Sequence, residues 1–485
     1  MLFNSQEFVL GFLPACLAGC FLLGRFAGRT WALAWLLAAS LFFYGWWNPR
    51  LVLLLLGSIA TNYVLGQHLL RVARGGRRAA ARRWLIAGIA FNLGLLAWFK
   101  YADFLLHIAA PHAPPLGIFL PLAISFFTFQ QIMFLVDSAR QERADIGLLT
   151  YAAFVAFFPH LIAGPIVRPK DIIPQLQQRD LAVPRGQNLA DGLTLFLLGL
   201  AKKLVLADMF GGFADIGFNA AARGASLSLF EAWYAVLAYS LQIYFDFSGY
   251  SDMAIGLARM LNVRFPLNFA SPYQARDIAE FWRRWHITLG AFLRHYVYFP
   301  LGGSRCGALR HSTNLLATML LCGLWHGAAW RFVLWGGLHG LYLVLHARCR
   351  VTLPRMLAQP LTLLAVVVAW VPFRADSAAA ARSVLAGMAG LHGAALPQMV
   401  VHALPWLGLV ATPVPLLPYL GDARTLSFPE VSACLLLGWG IVLLLPHVHQ
   451  ISERARGWAL TSSFAFSVQA LFFAPHVAPF LYFRF

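Results

Sequence analysis

Leu320 to Gly340 reads Leu-Leu-Cys-Gly-Leu-Trp-His-Gly-Ala-Ala-Trp-Arg-Phe-Val-Leu-Trp-Gly-Gly-Leu-His-Gly. At its centre His326 stands among tryptophans and glycines in an otherwise apolar run. A titratable group at membrane depth costs free energy, so such a residue is a functional candidate by default. Gly323 and Gly327 flank it and remove side-chain bulk, which would let another backbone or a substrate approach the ring. The alternative is a core histidine hydrogen-bonded to a carbonyl between packed helices. The stretch alone does not choose between the two.

The composition sets the environment. Of 485 residues, 60% are hydrophobic and 12% charged, against roughly 25% charged in a soluble domain. Apolar runs approach the roughly 20 residues a crossing needs, and no barrel-like alternation is present. With no water in the bilayer core the spanning elements must be helices. The chain reads as an all-α polytopic membrane protein of about eleven to thirteen segments. No linker marks off a soluble domain, so residues 1–485 form one integral membrane domain, with a motif-bearing core at 264–340.

A net charge of +18 would suit nucleic acid, but the basic residues sit in short loops between spans, as the positive-inside bias requires. The densest such loop holds Arg71, Arg74, Arg77, Arg78, Arg82 and Arg83. Placing it in the cytoplasm and counting three crossings back puts the N-terminus outside. The start of the chain lacks a positive leader region, so its first apolar run reads as a retained helix. Cys16, Cys20, Cys306, Cys322, Cys349 and Cys434 show no paired spacing, which argues against disulfides and zinc.

Three stretches depart from plain spans. Asp145 to Val167 ends in Phe158-Pro159-His160-Leu-Ile-Ala-Gly-Pro165, and basic residues stand at both of its ends. A re-entrant segment reconciles them. Phe281 to Tyr296 reads as one amphipathic interfacial helix, with Trp282, Trp285, Leu289, Phe292 and Tyr296 on a stripe and Arg283 near His286 on a neighbouring face. Gln242-Ile-Tyr-Phe-Asp246-Phe-Ser-Gly-Tyr-Ser-Asp252 places carboxylates in an apolar run, where they need partners. Arg283, Arg284 or Lys202 would serve, so Gln242, Asp246 and Asp252 read as a structural polar clamp.

The phosphate loop, dinucleotide fingerprint, zinc helix and serine elbow are all absent from the sequence. What remains is histidine acting as acid or base in a membrane cavity.

At these residues the chain resembles the membrane-bound O-acyltransferase family, in particular its bacterial alginate O-acetyltransferase branch; the teichoic acid D-alanyl transferases are more distant. The resemblance runs through Ser125-Phe-Phe-Thr-Phe-Gln130, Phe158 to Arg168, Gln242 to Asp252, Phe281 to His286, Tyr298-Phe-Pro-Leu-Gly-Gly303, Leu324-Trp-His-Gly327, Trp370-Val-Pro-Phe-Arg374 and Tyr482-Phe-Arg-Phe485. It implies about eleven transmembrane helices plus re-entrant and interfacial helices around a central funnel. It implies His326 as the catalytic histidine and His286 as a second important one. Arg283, Arg284, Trp325 and Trp285 would position donor or substrate. Two positions depart from the pattern: His295 replaces the usual Asp, and His160 stands where relatives often carry an amide.

The activity implied is transfer of an acetyl group from a cytoplasmic thioester, most simply acetyl-coenzyme A, across the inner membrane to an extracytoplasmic polysaccharide. Alginate is the first expectation for the acceptor; peptidoglycan and cellulose compete. No bound cofactor or metal is expected. The expected partners are membrane lipids, the acyl donor, the polysaccharide and a separate periplasmic protein of serine-hydrolase-like type. From another class, intramembrane Lys202, Asp246, Asp252 and Arg283 would suit a transporter, which internal symmetry would betray; none is visible. A non-catalytic export scaffold is the third reading.

Overall fold

The computed structural model describes residues 1–142, 145–349, 353–394, 428–450, 457, 464–465 and 479–481. Two apolar runs of the sequence, 400–419 and almost all of 458–483, and the motif at 482–485 lie outside them. Among the described residues the regular structure is helical throughout, as the apolar, barrel-free pattern requires.

In chain order the helices are α1 (Leu13–Phe26), α2 (Arg29–Gly45), α3 (Pro49–Arg74), α4 (Arg78–Leu96), α5 (Ala102–Ala109), α6 (Ile124–Ala139), α7 (Leu148–Ala156), α8 (Phe158–Leu161), α9 (Pro169–Leu176), α10 (Gly186–Ala201), α11 (Asp208–Ala222), α12 (Leu229–Met260), α13 (Ile278–Arg284), α14 (Ile287–Leu293), α15 (Ala308–His326), α16 (Trp330–Cys349), α17 (Arg355–Arg374), α18 (Ala378–Met388) and α19 (Phe428–Leu444). π-Helical turns occupy Glu7–Phe12, Ala97–Tyr101, Lys202–Ala207 and Arg294–Tyr298. Glu7–Phe26, Pro49–Arg74, Arg78–Ala109 and Arg355–Arg374 are long and apolar enough to cross a membrane. The chain divides into two compact units.

The first unit comprises Met1–Ala201, Gly249–Asn268 and the described part of Glu453–Phe485. A phenylalanine cluster of Phe3, Phe8, Phe12, Phe43 and Phe158 is built at centroid spacings near 5–6 Å, a range in which edge and offset contacts are favourable. Asn62 and Asn92 exchange side-chain hydrogen bonds at 3.2 and 2.6 Å between α3 and α4; in an apolar surround such pairs hold helices together. From Ile124 to Leu135 helix α6 is buried on every side, which is why apolar residues occur all round it, with Ser125, Thr128, Gln130 and Gln131 buried among them.

Within the suspected re-entrant stretch the chain bends at Phe157, ahead of Pro159. Helix α7 has nine residues, about 14 Å of rise against about 30 Å of hydrocarbon. It is no straight crossing.

The second unit comprises Lys202–Ser248 and the described part of Phe269–Ser452. Its spine is the α15–α16 hairpin. A Cβ on Gly323 would run into the Phe332 carbonyl, and one on Gly336 into the Met319 carbonyl. The glycine expected to admit a backbone at Gly323 therefore does so, and the backbone is that of α16. Gly327 meets the Phe332 ring. Both glycines are used in packing this hairpin.

Candidate active site

His326 is the last residue of α15. The helix ends because Gly327 turns extended (φ −174°, ψ 154°). The imidazole is 5% exposed. Rings meet it edge-on: Trp325 at 5.0 Å, Trp335 at 5.0 Å and Phe373 at 5.3 Å between centroids. Trp335 is itself fully buried and stacks on Trp370 at 5.7 Å. The result is an imidazole held at a helix end inside an aromatic box.

His286 reaches the same box from another element. Its backbone takes φ +44°, ψ 52°, a left-handed conformation that costs a non-glycine residue about 1–3 kcal/mol. This turn breaks the chain between α13 and α14 and sends the ring inward, where it is fully buried. It packs against Phe247 at 4.6 Å, Phe269 at 6.3 Å and Trp325 at 5.9 Å. Trp325 thus touches both histidines.

A third histidine, His339, lies one helical turn beyond Trp335. It is fully buried, 4.9 Å from the Trp335 ring, and its Nδ1 accepts from Trp282 Nε1 at 3.3 Å. That bond assigns the proton to Nε2. The signal in the sequence was the Trp335-x-x-x-His339 spacing, which sequence reasoning passed over.

Charges are paired elsewhere in the unit. Lys203 Nζ donates to Asp246 Oδ1 at 2.8 Å and to Asp208 Oδ1 at 2.7 Å, with Lys203 and Asp246 both buried. Lys203 lies in the π-helical turn, where the helix register shifts, and it rather than Lys202 is the buried lysine. Gln242 is also buried, its amide against Gly211, where a Cβ would fall 2.6 Å from Nε2. Asp252 is buried further along α12. Among the described residues no cluster of His, Cys, Asp or Glu is arranged to hold a metal.

Residues 95–370 match the membrane-bound O-acyltransferase family. The chain belongs to that family. It is 40% identical over 525 aligned positions to a peptidoglycan O-acetyltransferase of Helicobacter pylori, covering 100% of this chain and 98% of that protein. It is 42% identical over 391 positions to a probable alginate O-acetylase, AlgI, of Pseudomonas aeruginosa, covering 78% and 72%. A teichoic acid D-alanyltransferase of Streptococcus thermophilus is 28% identical over 46% of the chain and 56% of its own length. The protein is therefore a multi-pass membrane O-acyltransferase.

Within this O-acyltransferase the remaining expected site residues separate. The single helix expected over Phe281 to Tyr296 is instead α13, the turn at Trp285–His286, α14 and a π turn, so Arg283 and His286 do not share a helical face. Arg283 is exposed, 3.9 Å from Asp277. Arg284 binds Glu280 at 2.7 Å and the Ala270 carbonyl at 3.2 Å, which ties α13 to the preceding loop. Trp285 is an interior ring, stacked on Phe281 at 5.6 Å and 5.0 Å from Trp370. Of the four positioning candidates, Trp325 is the one in ring contact with both histidines.

The clamp on Asp246 is closed by Lys203, a cation not among those expected from sequence. The departures from the family pattern are also placed. His295 turns back onto the Ala291 carbonyl at 2.7 Å, and His160 is fully buried with Nδ1 2.7 Å from Gln130 Nε2.

Proposed function

We propose that this O-acyltransferase takes an acetyl group from a cytoplasmic thioester, most simply acetyl-coenzyme A, and passes it across the inner membrane for O-acetylation of an extracytoplasmic polysaccharide. The observation that carries the reading is the His326 imidazole, held at the end of α15 among Trp325, Trp335 and Phe373. Its ring accepts the proton of an acceptor hydroxyl as that oxygen bonds to the thioester carbonyl carbon. The carbon–sulfur bond then breaks, and the leaving thiolate takes the proton. General-base help of this kind contributes roughly 100- to 10,000-fold. The aromatic walls exclude the water that would hydrolyse the thioester.

His286 sets the pose of Trp325 beside the catalytic ring. Exposed Arg283, loosely paired with Asp277 at 3.9 Å, meets the phosphates of the donor. The N-terminus lies on the periplasmic side. Because the chain carries no serine elbow of its own, a separate periplasmic protein of serine-hydrolase-like type completes the transfer.

Alginate and peptidoglycan both offer the required hydroxyls. The end-to-end correspondence with the peptidoglycan enzyme, against 78% coverage for the alginate relative, favours peptidoglycan.

The test is ester-linked acetyl content in cells lacking the gene and complemented with wild type or His326→Ala, with membrane levels checked by immunoblot. Acetylation lost with the variant present is the expected result; full restoration overturns the assignment. Whether the esters vanish from muramic acid or from alginate decides the acceptor.

A further inference from the structure

Residues 71–83 read Arg-Val-Ala-Arg-Gly-Gly-Arg-Arg-Ala-Ala-Ala-Arg-Arg, with six arginines in thirteen positions. All six are exposed. Arg71 and Arg74 lie in the last turn of α3, Gly75 and Gly76 make the connection, and Arg78, Arg82 and Arg83 lie in the first two turns of α4. Gly76 takes φ +73°, which lets the two helices join through so short a link.

No acidic residue stands near these arginines along the chain. The sequence holds no Asp or Glu between Glu7 and Asp103. Among the described residues none of the six arginines forms an ion pair; Arg71 donates only to the Gln67 carbonyl of its own helix, at 3.4 Å. Arg77, Arg78, Arg82 and Arg83 also crowd the end of α4 where backbone N–H groups add their own positive potential, with no acidic residue in the first turn. So dense a patch of one sign calls for an external anion.

The helices say where that anion lies. Pro49–Arg74 and Arg78–Ala109 are both long and apolar enough to cross a bilayer. The turn between them therefore sits at one membrane surface, in the headgroup layer. Trp84, exposed just beyond Arg83, is the kind of indole that anchors at that depth.

We propose that the α3–α4 turn is a docking surface for anionic phospholipid headgroups, whose phosphates the arginines grip by paired N–H donors. A lipid is favoured over a free phosphate because the turn is fixed in the plane where lipid phosphates are concentrated. Each basic residue near an anionic surface strengthens such binding about fivefold. The proposal stands independently of the acyl-transfer reading, since it uses none of the residues placed at the site.

The full-length protein, purified in detergent, is titrated with phosphatidylglycerol or phosphatidylcholine, each alone and with inorganic phosphate as competitor, and retained lipid is read by native mass spectrometry. Phosphatidylglycerol should be retained at least about tenfold better than phosphatidylcholine. The preference should fall as salt rises from about 50 to about 500 mM, because exposed charges are screened.

Replacing Arg77, Arg78, Arg82 and Arg83 together by Gln should abolish the preference, while four Lys replacements should keep most of it. Removing positive charge can also alter membrane orientation, so the Lys set and the wild-type salt titration test the proposal without the Gln set. Equal retention of the two lipids, retention indifferent to salt, or an undiminished preference in the Gln variant would overturn it. Displacement of phosphatidylglycerol by an equal concentration of inorganic phosphate would assign the surface to a free phosphate and overturn the lipid.

Discussion

The Trp335 indole meets the His326 imidazole edge-on, with centroids 5.0 Å apart and planes at 87°. Trp335 comes from the second helix of the hairpin and His326 from the end of the first, so the indole and the imidazole arrive together when α15 and α16 pack. Removing each should do different things. His326→Ala should lower acetyl transfer at least about 100-fold with a small change in detergent thermal stability. Trp335→Ala deletes a fully buried ring and should cost about 3–5 kcal/mol of stability. A thermal melt beside a transfer assay separates them; a His326→Ala protein that melts as early as Trp335→Ala would make the histidine a packing residue.

The Lys203 cluster makes a second prediction. Asp246→Asn takes away one of the two carboxylates on the buried Lys203, and breaking a buried pair costs about 3–5 kcal/mol. Yield and melting temperature should fall together with activity. The double replacement Lys203→Met, Asp246→Leu should recover part of the loss, because removing both charges leaves neither uncompensated. Full stability with no activity in Asp246→Asn would move the residue into the reaction.

Much of this was legible in the sequence, and the failures have a common cause. Apolar runs and the Leu324-Trp-His-Gly327 stretch are signals of composition and local spacing, and they survive into structure almost unchanged. The stripe from Trp282 to Tyr296 misled because its helical period continues across a break: the chain turns left-handed at His286, a residue whose type gives no warning of it. Lys203 was missed because the π turn that shifts the register leaves no mark on hydrophobic periodicity. His339 was in the quoted stretch all along, but its role depends on Trp282, 57 residues away.

That long-range bond can be tested directly. Trp282→Phe and His339→Phe each keep an aromatic ring and lose the hydrogen bond between Nε1 and Nδ1. The bond should be worth about 0.5–1.5 kcal/mol, so the double variant should be no less stable than the worse single variant by more than a few tenths. Because His339 packs on Trp335, which packs on His326, kcat should fall while KM for the donor stays near its wild-type value. A rise in KM with kcat unchanged would place His339 in donor binding instead.

The glycine seam predicts a sharp positional contrast. At Gly336 an added Cβ would collide with the Met319 carbonyl, whereas at the adjacent Gly337 the nearest atom is Leu320 Cδ2 at 3.7 Å, an ordinary contact. Backbone cannot yield as a side-chain tip can, so Gly336→Ala must push α16 away from α15. Overpacking of this kind costs about 1–3 kcal/mol, and it would also shift Trp335, one residue earlier, against the His326 ring. Gly337→Ala should be close to wild type or slightly stabilising, since alanine holds a helix better than glycine. Melting temperature and transfer rate measured on the pair give the answer: similar losses at both positions would mean that α15 and α16 are not held at this spacing in the membrane.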